Sequence, residues 1–133
     1  MSANPAIAVR GGTLVMPFGS PGSEVLGQAM LQVFLNQAVF GMDPQSAAEA
    51  PRFASFSWPE STLPHNYRPG VLCVEADVGT STIAALDLLG HNVEIWPERK
   101  YLAGSVVTIQ ADMNTGIKWA GADPRRTAYA VGW

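Results

Sequence analysis

The sequence predicts an α+β domain, or a layered α/β/α arrangement, and three observations carry the prediction. Short runs rich in Val, Ile, Thr and aromatic residues recur along the chain, each closed by Gly, Pro, Asn or Asp. Three stretches between them carry helix start and stop signals. The two kinds of segment come in mixed order, which points to sheets with helices packed on them. A length of 133 residues fits one domain spanning 1–133, and 47% apolar content is enough for a core.

Residues 5–10 (Pro-Ala-Ile-Ala-Val-Arg) and 13–16 (Thr-Leu-Val-Met) read as two strands joined by a tight turn at Gly11 and Gly12. A helix is predicted from about residue 23 to residue 40, with Ser23 as N-cap and Glu24 in the first turn. Glu24, Gln28, Gln32 and Asn36 recur every fourth position as one narrow polar stripe. The rest of that helix is apolar, so it is expected to be covered on most sides by a sheet and other helices. Gly41 stops it. Asp43 then caps a short second helix with Pro44 at its first position, and Pro51 ends it.

Residues 53–58 alternate large and small, as in a strand with its aromatic face inward. Residues 59–69 are turn chemistry and carry His65 and Tyr67. Residues 71–75 form a strand. Residues 80–89 form a third helix, with Ile83, Leu86 and Leu89 on one face and Gly90 as its stop. Residues 92–96 form another strand. Residues 105–111 and 117–121 pair through an Asp-Met-Asn-Thr-Gly turn, and a short strand closes the chain before Trp133.

Charged residues make up 14% of the chain, against roughly 25% in an ordinary soluble domain. Low charge with ordinary apolar content predicts that part of the surface is covered, by a second copy or by the remainder of a larger domain. The net charge of −3 and the scattered basic residues argue against nucleic acid. Cys73 stands alone, which excludes an internal disulfide and a multi-cysteine zinc site, and its apolar context predicts a buried thiol. No long uninterrupted apolar stretch and no signal-peptide pattern are found, so a soluble cytoplasmic chain with no membrane partner is expected.

No Gly-x-Ser-x-Gly frame surrounds a serine. His65 and His91 read as surface or capping residues, and Glu75 and Asp77 as solvated carboxylates at a strand end. Asp123-Pro124-Arg125-Arg126 reads as an Asx turn held by a local ion pair. One outline of a reaction site remains, at residues 16–23 (Met-Pro-Phe-Gly-Ser-Pro-Gly-Ser). A strand there enters a glycine-containing turn and then a helix. Such a turn can aim bare N–H groups and a helix dipole at an oxyanion, or be an ordinary tight turn.

A set of collinear motifs resembles the gamma-glutamyltranspeptidase family. They are Asn-Pro-Ala-Ile-Ala-Val at 4–9, Met-Pro-Phe-Gly-Ser-Pro-Gly at 16–22 and Gln-Ala-Met-Leu-Gln-Val-Phe-Leu-Asn at 28–36. Phe-Gly-Met-Asp at 40–43, Ala-Pro-Arg-Phe at 50–53, Leu-Gly-His at 89–91 and Gly-Ala-Asp-Pro-Arg-Arg at 121–126 follow.

The resemblance implies the C-terminal part of a small subunit in an N-terminal-nucleophile hydrolase, an α-β-β-α sandwich of mainly antiparallel strands with three helices. In that family a threonine at a self-generated N-terminus attacks a gamma-glutamyl amide such as glutathione, with its own α-amine as base. The resemblance places the oxyanion hole on the backbone N–H groups of Gly22 and Ser23, with Ser23 where the family has a second glycine. It places Ser2 at a substrate contact. The nucleophilic threonine falls upstream of residue 1, so the implied partner is an upstream or large-subunit portion, or else a second copy joined through an apolar face. No cofactor or metal is implied. A non-catalytic fragment serving as a folding or oligomerisation module is the alternative.

Overall fold

The computed structural model describes residues 4–21 and 24–132. Strands β1 (Asn4–Arg10) and β2 (Leu14–Ser20) form the expected antiparallel hairpin, with Gly11 and Gly12 at positive φ in its turn. Helix α1 (Leu26–Ala38) begins later than the sequence predicts, with Val25 at its N-cap and no side-chain cap there. Ser23, the expected cap, lies outside the described residues.

Helix α2 (Pro44–Glu49) starts as predicted, with the Asp43 carboxylate accepting from the N–H groups of Gln45 and Ser46 at 2.9 and 3.0 Å. Its bonds to Ser46 hold the Asp43 carboxyl below the usual aspartate range. Then come β3 (Phe53–Ser55), β4 (Val71–Glu75), α3 (Thr80–Leu88), β5 (Asn92–Trp96), β6 (Val107–Asp112) and β7 (Lys118–Ala122). The Asp112 carboxylate nucleates the last hairpin by accepting from the N–H of Asn114 at 2.8 Å.

The strands make two sheets. One has the order β1-β2-β6-β7 and is antiparallel throughout. The other has the order β3-β4-β5, with β4 and β5 parallel because α3 carries the chain across between them. Helices α1 and α2 share a core with one face of the four-stranded sheet: Ala29, Met30, Val33, Ala47 and Val106, with Phe18 stacked on Phe34. Gly121 lets α2 lie directly on β7, since a Cβ there would stand 2.3 Å from the Pro44 carbonyl oxygen. A second core joins Val25, Ala54, Cys73, Trp96 and Ala103. Cys73 is buried as expected, and burial pushes its thiol pKa up.

The polar stripe of α1 is a seam to β3. Gln28 donates to the Ser55 carbonyl and accepts from the Ser55 N–H, at 2.9 and 2.8 Å. Gln32 does the same for Phe53, at 2.9 and 3.1 Å. The two side-chain amides thus stand in for a neighbouring strand. This explains why the stripe has a period of four residues: one helical repeat of about 6 Å nearly matches two strand residues of about 6.6 Å.

Two expectations need correction. The strand predicted over 53–58 ends at Ser55; Trp58 is 84% exposed and only Phe56 turns in, edge-on to Trp96. No closing strand forms within residues 123–132, and at the end of β7 the backbone groups of Ala122 bond the Gln45 side chain. Helix α1 is covered on most sides, as expected, by the four-stranded sheet, α2 and β3. One face of it stays bare, with Leu31 and Val39 56% and 66% exposed.

Candidate functional site

The site is built outward from Ser20, the last residue of β2. Its side chain is buried, accepts from the Ser105 N–H at 3.3 Å and donates to the Pro21 carbonyl at 3.3 Å. The hydroxyl therefore ties the exit of β2 to the loop before β6. Gly104 in that loop has φ +86°, and a Cβ on it would meet Ala29 at 2.9 Å and Ser20 Oγ at 3.7 Å. Only glycine allows so close a packing of loop, strand end and helix. Beyond the turn, Glu24 accepts from the Ser61 N–H at 3.0 Å and from its hydroxyl, which holds the Glu24 carboxyl below the usual range. Val25 then enters the core. Both ends of the turn are therefore fastened. Gly22 and Ser23, the expected oxyanion donors, and Ser2, the expected substrate contact, lie outside the described residues.

Behind this loop lies a cluster that the sequence reading missed. Arg52, Glu75, Asp123 and Arg125 are all buried and carry two charges of each sign. Arg125 forks onto Glu75 through Nε at 2.8 Å and Nη2 at 2.5 Å, and reaches Asp123 at 3.2 Å. Arg52 pairs with Asp123 at 2.6 Å. The Asx turn at 123 is present, with Asp123 accepting from the Arg125 N–H at 3.0 Å, but it is one corner of a larger network. Glu75 is not solvated. Its carboxylate also accepts the N–H groups of Arg52 and Lys100, each at 2.8 Å.

Electrostatics separates the two arginines. Burial lowers the pKa of Arg52, countered by Asp123. Burial also opposes the charge on Arg125, but Glu75 and Asp123 outweigh it and the pKa is raised. The network reaches the candidate turn through two bonds: Arg52 donates to the Ala103 carbonyl at 3.2 Å, and Asp123 accepts from the Val106 N–H at 3.0 Å. Residues 103–106 are thus clamped on both sides of the Ser105 N–H that holds Ser20.

His65, Asp77 and His91 are exposed, as expected of surface residues. Among the described residues, no group of three or more His, Cys, Asp or Glu is placed to hold a metal ion. No helix among them is long and apolar enough to cross a membrane.

The family profile of gamma-glutamyltranspeptidase matches residues 1–133. The chain belongs to the gamma-glutamyltranspeptidase family. It is 32% identical over 129 residues to the glutathione hydrolase-like YwrD proenzyme of Bacillus subtilis (strain 168), which covers 96% of this chain and 23% of that protein. A solved structure, LmbA2991HD, superposes with a TM-score of 0.88 at 38% identity, over 97% of this chain and 23% of the other. Cephalosporin acylase from Bacillus halodurans superposes with a TM-score of 0.68 at 28% identity, over 82% of this chain and 18% of that one. The chain thus spans about a quarter of the length of such relatives. Its α+β fold, mainly antiparallel with three helices, is part of an N-terminal-nucleophile hydrolase sandwich, as the motifs implied.

Proposed function

We propose that this chain supplies the oxyanion-binding turn of a gamma-glutamyl amide acyl-transfer site, and that the nucleophilic threonine comes from the portion relatives carry outside the matched quarter. In this reading the threonine hydroxyl adds to the amide carbonyl and its proton passes to the threonine's own amine. The N–H groups of Gly22 and Ser23 receive the oxyanion. Collapse expels the amine product, and water or an acceptor amine releases the glutamyl group. Ser2 contacts the substrate.

The observation that carries the reading is the fastening of Ser20 by Ser105 and Gly104 in a chain whose family profile matches throughout. An oxyanion hole works only if its donors are held before the charge develops. The clamp on residues 103–106 gives the strand entering this turn such rigidity.

The test combines the chain with the portion that its relatives carry outside the match and follows hydrolysis of a gamma-glutamyl anilide. Turnover is expected, and Ser23→Pro, which deletes one donor, is expected to lower kcat by about 10²–10³-fold. Full activity in that variant would remove Ser23 from the hole. The second reading, a non-catalytic module, is favoured by the bare apolar side of α1. A folded pair with no turnover would select it.

A further inference from the structure

The polar stripe of α1 runs on past its two glutamines. Gln32 bonds Phe53 and Gln28 bonds Ser55, so the chain after β3 travels toward the N-terminal end of α1. Glu24, four residues before Gln28 on the same stripe, accepts from the Ser61 N–H at 3.0 Å. The loop over residues 56–70 is therefore moored to the residue that directly follows the two expected oxyanion donors. Leu63 lies two positions from that mooring and Trp58 three, at most about 7 and 11 Å along the backbone.

This loop holds its own shape. The Arg68 N–H donates to the Phe56 carbonyl at 3.1 Å and the Glu60 N–H to the Asn66 carbonyl at 2.9 Å, so its two limbs pair as an arm with Trp58 and Tyr67 at facing positions. At the tip, His65 donates its N–H to the Thr62 carbonyl at 2.7 Å and its Nδ1–H to the Glu60 carbonyl at 2.8 Å. The two charged residues of the arm are both engaged. Glu60 accepts from the Asn66 side chain at 2.8 Å, and Arg68 lies over the Phe56 ring and pairs with Glu94. Trp58, Leu63 and Tyr67 nevertheless stand in solvent, 84%, 85% and 56% exposed. None of the bonds that order the arm uses these three side chains. Large apolar groups gathered on an ordered loop beside a candidate site mark a contact surface.

We propose that Trp58, Leu63 and Tyr67 wall the leaving-group side of the acyl-transfer site and select amides whose amine carries an apolar or aromatic body. The proposal rests on the reading that residues 22 and 23 hold the oxyanion. The chemistry of the wall decides which half of the substrate meets it. A glutamyl half carries a carboxylate and an ammonium, which need free charges that the arm does not offer. The amine half has no obligatory charge and can lay an apolar body or a ring against Trp58 and Tyr67. The backbone that presents them is ordered beforehand, which spares part of the cost of binding.

The test uses two gamma-glutamyl amides, a 2-naphthylamide and a methylamide. In an NMR titration of the chain, the naphthylamide is expected to shift the Trp58 indole N–H and the Ser61 amide saturably, and the methylamide is not. Trp58→Ala should weaken that binding about tenfold, whereas Leu88→Ala, on exposed α3, should leave it unchanged; circular dichroism confirms that both variants are folded. In the chain combined with the portion that relatives carry outside the match, Trp58→Ala should raise KM for the naphthylamide about tenfold, with kcat within about twofold and the methylamide unaffected. Equal shifts with the two amides, no shift with the naphthylamide, an unchanged KM in Trp58→Ala, or a Trp58 indole already shielded by the added portion before any amide is present overturns the proposal. Turnover of both amides with equal KM strikes the wall and keeps the site. Selective binding of the naphthylamide to the chain, with no turnover from the combination, keeps the wall and strikes the site.

Discussion

Two sides of this molecule bury nothing alike. Behind the candidate turn, four charges are sealed from water and nearly every polar atom of the cluster is matched within the chain. Along β1 and the outer face of α1, Leu31, Val39, Ile7 and Val9 stand in solvent. The first side closes within the chain except at Arg52 Nε. The second leaves apolar surface uncovered among the described residues. The comparison teaches that buried polar groups must find their directional bonds within the chain, whereas apolar side chains can stand in solvent at smaller cost.

The sharpest way to break the comparison is Arg125→Ala. It leaves Glu75 buried without its bidentate partner, and a loss of about 3–5 kcal/mol is expected in urea denaturation. A loss below 1 kcal/mol would mean that water reaches the cluster. Gly121→Ala should cost about 1–3 kcal/mol by forcing α2 off β7, read as a lowered thermal midpoint. Gln32→Ala removes both bonds to Phe53 and should cost about 1 kcal/mol, with faster exchange of the Phe53 amide. Smallest of all, Leu31→Glu should change the stability of the isolated chain by no more than about 0.5 kcal/mol. A large loss there would show that the bare side is covered by self-association.

What the sequence made legible follows the same division between near and far. The Gly-Gly hairpin, the Asp43-Pro44 helix start and the Asp112 turn are set by neighbouring residues, and all stand where they were expected. The Asx turn at Asp123 was also legible. Its role was not, because its partner Arg52 lies 71 positions away, and Glu75 is 50 from Arg125. The start of α1 was misplaced since Val25 is drawn into the second core, which a cap-based reading does not weigh. As for the candidate site, its turn is read from the motif alone, and the loop at 103–106 that holds Ser20 carries no local signal beyond Gly104.

The glutamine seam between α1 and β3 acts as a vernier. Each step of four residues on the helix falls about 0.6 Å short of two on the strand, so the two scales agree over only a few divisions. The next rung would pair Asn36 with position 51, where proline has no N–H to offer, and Asn36 turns instead to the Ala47 carbonyl at 3.4 Å. Two rungs leave a single axial setting for the helix. A slip by one division would carry the N-terminus of α1 about 6 Å away from Ser20, so the placing of the candidate turn is gauged by rungs within the helix that follows it.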